Sequence, residues 1–208
     1  ITLVRFSPLL SGKSLEQGDI VRYKGMSQEV KDFREKQHAE PLWTNSMFGG
    51  MPAYQVSTLY PGNWLGTIDK VFHLFLPHPS GYIFLCFIGF FILLLCLETD
   101  PWLALVGALA YGFSSYFFII LEAGHNSKAN AIGYLAPVLG GIILLMRGKH
   151  WLGFAVTTLF MALELNANHV QISYYGFMLF GFVLLFYFII AFKQKNLKPF
   201  LLGVALFI

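Results

Sequence analysis

The chain has 208 residues, of which 56% are hydrophobic, 17% aromatic and 12% charged. Its mean hydropathy is +0.62, and a soluble domain typically carries about 25% charged residues, so the composition indicates an integral membrane protein. The formal net charge of +3 is small and spread along the chain, and it gives no reason to expect binding to nucleic acid.

Residues 1–10 are predicted to be the end of a transmembrane helix. The chain begins Ile-Thr-Leu-Val-Arg-Phe, without the positively charged start of a signal peptide, and it ends inside the apolar run Leu-Leu-Gly-Val-Ala-Leu-Phe-Ile. We therefore expect a piece of a longer polytopic protein whose first helix starts before residue 1.

Residues 11–80 are predicted to form a large extramembrane loop. Eight of the 14 Lys and Arg residues, and seven of the 11 Asp and Glu residues, lie in residues 1–80. Tyr23, Met26, Val30 and Phe33 recur at helical spacing. The opposite face carries Lys24, Lys31, Asp32, Arg34 and Glu35. This pattern predicts an amphipathic helix at the membrane interface or against the helix bundle.

The stretch that follows, Pro-Leu-Trp-Thr-Asn-Ser-Met-Phe-Gly-Gly-Met-Pro-Ala-Tyr at 41–54, has no helical period. Its glycines and prolines favour a structured, aromatic-rich loop. His73 and His78, further along, are interpreted as membrane-interface residues.

Residues 81–208 are predicted to be an all-α polytopic bundle of transmembrane helices, about five complete and one truncated. Apolar segments lie near 81–98, 101–121, 130–146, 151–166 and 169–192, and a sixth begins near 199. A spanning helix needs about 20 residues, with a range of roughly 17–25, so the fourth segment is short. Pro101 is expected at the first position of its helix.

The basic loops set the expected orientation. Arg147, Lys149 and His150 follow the third segment, and Lys193, Lys195 and Lys198 follow the fifth. Positively charged short loops favour the cytoplasm. Loop 11–80 and the turns at 122–129 and 166–169 are then predicted to be extracytoplasmic.

A polar cluster in the turn at 122–129 is the most informative feature of the sequence. Glu122, His125, Asn126 and Lys128 fall within seven positions between two apolar runs. Ionisable groups at a membrane helix end are costly unless they face water, a partner or a substrate. On the predicted outer face they join Asp19 and the group Glu164, Asn166, Asn168 and His169. This mixture suits a polar, anionic ligand.

Transfer of a sugar from a phosphate leaving group needs a base for the acceptor hydroxyl and cations or amides for the phosphate. Asp19 is the candidate catalytic base, and Glu122 is the reserve candidate. Candidate substrate-binding residues are Arg22, Lys24, His125, Asn126, Lys128, Asn166, Asn168 and His169. The cationic members would hold the phosphate, and the asparagines would hydrogen-bond sugar hydroxyls.

Each of these residues also has a structural interpretation. Asp19 follows Gly18 and could be a helix N-cap, and Glu122 could simply pair with Lys128. His125, His169 and Glu122 could hold a metal ion, although they lack the close spacing of a ligand set. No cofactor is expected, and a divalent metal is left open.

Four motifs carry a resemblance to a known family. They are Gln-Gly-Asp-Ile-Val at 17–21, Trp-Thr-Asn-Ser-Met-Phe-Gly-Gly-Met-Pro at 43–52, Gly-Phe-Ser-Ser-Tyr at 112–116 and Glu-Ala-Gly-His-Asn at 122–126. The chain resembles the YfhO-like membrane proteins of bacteria, closest to Bacteroidetes-type members, which are similar to the GT-C class of glycosyltransferases. The resemblance implies a GT-C-like bundle in the bacterial inner membrane, with an acidic catalytic residue in the first outer loop. Asp19 matches that position.

The resemblance also implies the activity and the partners. The expected function is a membrane glycosyltransferase that moves a sugar from a polyprenyl-phosphate-linked donor to a cell-envelope glycan or lipid. The alternatives are a transporter or flippase of lipid-linked sugars, in which Pro137 and Gly140-Gly141 would break a helix, and a non-enzymatic envelope assembly subunit. The sequence gives no oligomeric state.

Overall fold

The computed structural model describes residues 2–207, and the chain is mostly helical, as the sequence predicts. Two short helices, α1 (Thr2–Arg5) and α2 (Ser7–Leu10), precede the long helix α3 (Gly18–Gln37). The strands β1 (Trp43–Thr44) and β2 (Met51–Pro52) pair antiparallel, with Trp43 opposite Pro52. A turn of 3₁₀-helix (Ala53–Gln55) and the helix α4 (Leu65–Phe72) follow. We call residues 11–80, which extend to the start of the apolar helices, the polar segment.

Seven helices follow in the apolar part of the chain. They are α5 (Ser80–Cys96), α6 (Pro101–Gly112), α7 (Ser115–Ala123), α8 (Asn126–Met146), α9 (His150–Asn166), α10 (Val170–Lys193) and α11 (Lys198–Phe207). The apolar segments of the sequence fall on these helices, with two differences. The second segment is divided into α6 and α7, and the third begins at Asn126 rather than near 130.

Two helices among residues 2–207, α8 and α10, are long and apolar enough to cross a membrane. A third crossing results if α6 and α7, bent by 42° at their junction, form one broken span. The helices α5 and α11 are apolar but shorter. Length and composition therefore indicate association with a membrane.

The helix α8 is the centre of the bundle, because it packs on α5 along one side and on α9 along another. Leu85 of α5, Val138 and Ile142 of α8, and Phe160 and Leu163 of α9 share one buried core. α8 runs without a break through Pro137. The broken helix expected for a transporter therefore does not occur at this proline.

Glycines set the spacing between α8 and its neighbours. A Cβ atom on Gly89 of α5 would collide with the backbone of Gly133, and one on Gly141 would collide with Thr157 of α9. Small residues at helix contacts allow backbones to approach closely. Gly141 therefore serves packing rather than a helix break.

Within the polar segment, Glu29 of α3 joins this helix to residues 44–45. Its Oε2 atom accepts hydrogen bonds from Thr44 Oγ1 at 2.5 Å and from the Asn45 amide at 2.8 Å. Of the four apolar positions predicted on α3, Val30 is buried, whereas Tyr23 and Phe33 are exposed. Protein therefore covers only part of the apolar side of α3.

Contacts between loops divide the bundle into two ends. At one end Asn63 binds Asn166 and Asp19 binds His125. At the other end the Lys149 Nζ atom lies 2.7 Å from Glu98 Oε1, and Arg147 donates to the Cys96 carbonyl. The basic loops and the polar turns thus lie at different ends of the helices.

Replacing Gly89 by Val is expected to lower the free energy of unfolding by about 1–3 kcal/mol, because the side chain would force α5 away from α8. The matched control is Gly181→Val, since a Cβ on Gly181 of α10 meets no atom within 4 Å. Thermal unfolding in detergent micelles measures both. Equal midpoints for the two variants would show that the α5–α8 contact does not need this glycine.

Candidate functional site

A line of polar side chains runs along the first half of α8. Asn126, Asn130 and Tyr134 are spaced four residues apart, which places them on one face of the helix. We call these three residues the polar stripe. Each of them hydrogen-bonds a residue from the segment before α5, so the stripe joins the polar segment to the bundle.

The first contact of the stripe is made by Gln17, the N-cap residue of α3. Gln17 Nε2 donates to the Leu121 carbonyl and, at 3.0 Å, to Asn126 Oδ1. Asn126 Nδ2 donates back to Gln17 Oε1 at 3.2 Å. Gln17 is only 3% exposed. These bonds fix the start of α3 against the turn between α7 and α8.

Asp19 lies beside this anchor and contacts His125. Asp19 Oδ2 lies 2.8 Å from His125 Nε2, and Asp19 Oδ1 accepts from Arg22 Nη1 at 3.3 Å. The two side chains of the Asp19–His125 pair are 42% and 47% exposed. Gln17, not Asp19, is the N-cap, so the capping interpretation of Asp19 is wrong. Its position in the first turn still favours a carboxylate.

A cavity of about 350 Å³ lies beside the Gln17 anchor, and neither Asp19 nor His125 is among its lining residues. Leu121, which receives the hydrogen bond from Gln17, lies in its wall together with Glu122. Lys13 and Ser14 add polar groups to a wall that is otherwise mostly apolar. A ligand with a charged group and an apolar tail would match this lining.

The remaining predicted residues near the pair have separate environments. The Lys128 Nζ atom lies 5.5 Å from the centre of the Tyr116 ring, a cation–π contact. No ion pair joins Glu122 to Lys128 in the described part of the chain, so the simple pairing of these residues is not found. Lys24 lies on α3 with an exposed side chain.

The second predicted group is occupied by local contacts. Asn166 Oδ1 accepts from Asn63 Nδ2 at 2.6 Å, and His169 Nδ1 accepts from the Ile172 amide at the start of α10. Asn168 has a left-handed backbone conformation in the turn, with φ of 52°. Glu164, 1% exposed, accepts from Ser173 Oγ at 2.9 Å. Within residues 2–207, no hydrogen bond or ion pair joins this group to the Asp19–His125 pair.

The metal interpretation finds no cluster to support it. Among the residues that the structure describes, no three His, Cys, Asp or Glu side chains lie together as a metal ligand set. His169 instead lies in the wall of a different cavity from Glu122.

A second polar cluster, centred on Asp69 of α4, was not predicted. Asp69 Oδ1 accepts from Tyr134 Oη at 2.7 Å and from Asn130 Nδ2 at 3.1 Å. His73 Nε2 lies 2.9 Å from Asn130 Oδ1 and 3.5 Å from Asp69 Oδ1. His73 is therefore a mostly buried member of this cluster. Two features of the sequence point to this cluster. Asp69 and His73 are four residues apart, and the polar residues of the stripe recur every four residues.

The hydrogen bonds in this cluster keep Asp69 ionised. Burial by itself opposes the charge, but bonds from His73, Tyr134 and Asn130 outweigh it and lower the pKa of the carboxyl below its ordinary value. A half-buried carboxylate that stays charged next to a cavity is a candidate for binding a ligand.

No protein family model, curated protein or solved structure matches the chain. The function is therefore argued from the geometry of the two polar clusters.

Asp69 is expected to make stability depend on pH in the acid range. A carboxyl with a lowered folded-state pKa stabilises the fold above its unfolded pKa of about 3.9, and this is lost as pH falls through the folded value. The midpoint difference between the unsubstituted chain and Asp69→Asn should stay constant from pH 7 to 5 and shrink below about pH 4. Thermal unfolding in micelles measures it, with Asp32→Asn as control. Parallel curves down to pH 3 would contradict this role.

Proposed function

We propose that this chain acts in a membrane glycosyltransferase that moves a sugar from a polyprenyl-phosphate-linked donor to a cell-envelope glycan or lipid. The observation that carries the proposal is the Asp19–His125 pair, whose side chains are 2.8 Å apart and partly exposed. A carboxylate that orients an imidazole is a recurrent device for removing a proton from a hydroxyl group.

The pair supplies the base of the reaction. Asp19 Oδ2 accepts the Nε2 proton of His125, which leaves His125 Nδ1 with its lone pair. No hydrogen bond of the described residues uses Nδ1, so it can take the proton of the acceptor hydroxyl. The acceptor oxygen then bonds to the anomeric carbon, and the bond from that carbon to the phosphate oxygen breaks. The phosphate leaves with the electron pair, and Asp19 stabilises the imidazolium.

Cations near the pair would stabilise the departing phosphate. Arg22 is 79% exposed and binds Asp19 through one nitrogen only, so its guanidinium retains donors for a phosphate oxygen. Lys13 lies in the wall of the cavity beside the Gln17 anchor. The apolar part of that wall would hold the first carbons of the polyprenyl chain, and Asn126, fixed by Gln17, would sit behind the sugar.

The topology proposed with this function places α5, α6–α7, α8, α9, α10 and α11 in the inner membrane. In it, α6 and α7 form one broken span. The polar segment at 11–80 and the Asp19–His125 pair lie on the outer face, and the loops with Arg147 and Lys193 lie in the cytoplasm. The separation of polar turns and basic loops to opposite ends of the helices supports this arrangement.

The test is transfer of a labelled sugar from a polyprenyl-phosphate donor by the protein reconstituted in vesicles. Asp19→Asn and His125→Gln should each lower the transfer rate by about 10²–10⁴-fold, because each removes part of the base. Asp32→Asn, on the same helix and hydrogen-bonded among the described residues only to Gln28, is the matched control and should leave the rate unchanged.

Two results would contradict the proposal. Unchanged transfer by Asp19→Asn would show that this carboxylate takes no part in the base. Movement of the lipid-linked sugar across the vesicle membrane, with no transfer to an acceptor, would favour the transporter.

A further inference from the structure

Two cavities of different character meet beside α4. One, the polar cavity, has a volume of about 300 Å³ and is lined by Asp69, Lys70, His73, His78 and Tyr82. The other, the apolar cavity, has a volume of about 480 Å³ and is lined mainly by Leu74, Phe84, Phe87, Phe91 and Leu105. Leu76 lines both cavities. A polar and an apolar space that share a wall match a ligand with a charged head and hydrocarbon tails.

The polar cavity offers one free group of each charge. Asp69 Oδ1 receives every hydrogen bond that the carboxylate accepts from the described residues, so Oδ2 has no partner there. Lys70 follows it directly and makes no ion pair with any residue in 2–207. A ligand that carries both an ammonium and a phosphate would pair with both groups.

The apolar cavity points to the source of the ligand. Leu74 and Leu105 in its wall, and Phe75 in the wall of the polar cavity, are large apolar side chains that remain exposed. In a membrane such surfaces face lipid. A bilayer lipid could therefore enter the apolar cavity sideways with its tails and place its headgroup over α4.

We propose that these two cavities bind a bilayer phospholipid with an ethanolamine headgroup. The lipid ammonium pairs with Asp69 Oδ2, the phosphate pairs with the Lys70 ammonium, and the acyl chains occupy the apolar cavity. A phosphoglycerol headgroup brings no cation for Asp69. A choline headgroup brings one that cannot donate a hydrogen bond. This site is separate from the Asp19–His125 pair and does not rest on the proposed transferase function.

The experiment uses the full chain in nanodiscs made from equal parts of phosphatidylethanolamine, phosphatidylglycerol and phosphatidylcholine with matched acyl chains. Lipids that stay bound after release from the disc are counted by native mass spectrometry. We expect one ethanolamine lipid to be retained in preference to the other two.

Single substitutions test the contacts of Asp69 and of Lys70 separately. Asp69→Asn should lower the preference for ethanolamine over glycerol lipid by about tenfold, since it removes a charge-assisted hydrogen bond. Lys70→Gln should lower retention of both of these lipids. Leu105→Asn should lower retention of all three lipids by placing an amide among the tails. Asp32→Asn and Lys36→Gln, both on α3, are matched controls and should change nothing.

Equal retention of the three lipids by the unsubstituted chain would overturn the proposal, as would an unchanged preference in Asp69→Asn. If Asp69→Asn fails to fold, as judged by its thermal midpoint, Lys70→Gln decides, because Lys70 is exposed and its loss leaves the cluster intact. Unchanged retention in Lys70→Gln would then overturn the site. Displacement of the ethanolamine lipid by added polyprenyl phosphate would also overturn it, and would assign the cavities to the donor. Sugar transfer, measured on the same variants, tests the transferase separately.

Discussion

Polar side chains inside an apolar bundle must find hydrogen-bond partners, and in this protein the polar stripe of α8 finds them outside the bundle. An unsatisfied buried polar group costs about 1–3 kcal/mol, so the fully buried Tyr134 and, to a lesser degree, the partly buried Asn126 and Asn130 need such partners in a marginally stable fold. Gln17 and Asp69 supply the partners. The positions of α3 and α4 on the bundle therefore follow from the polar face of one helix.

In this arrangement the residues that hold the fold are buried, whereas the neighbouring residues that could contact a ligand are exposed. Gln17 is buried and bonded at both ends of its amide, whereas Asp19, two residues later, is half exposed and touches His125. A reactive pair held by a rigid neighbour keeps its geometry while remaining open to a ligand. At Asp69, Oδ1 accepts the hydrogen bonds that hold the fold, and Oδ2 has no hydrogen-bond partner among residues 2–207. In both polar clusters, some polar atoms are hydrogen-bonded within the protein and others remain accessible to a ligand.

The sequence predicts the helices well because long apolar runs and punctuation such as Asp100-Pro101 are local signals. The break between α6 and α7 was missed because Gly112 and the serines at 114 and 115 interrupt the apolar run without a charge or a proline. Charge placement predicts that Asp19 and His125 lie at the same end of the bundle, but their contact depends on packing between residues far apart in the chain. Asp69 was missed for the same reason: its spacing to His73 is visible in the sequence, but its contact with Tyr134, 65 residues along the chain, is not. Asn166 and His169 were expected near Asp19, yet neighbouring backbone and side chains already use them.

The central claim is that Asp19 and His125 act as one unit in removing the acceptor proton, and a double-mutant cycle on sugar transfer tests it most directly. Residues that act together are strongly non-additive. The account predicts that the Asp19→Asn, His125→Gln double variant transfers sugar at about the rate of the slower single variant. Losses that multiply in the double variant would show that the two residues act independently, and would contradict the account.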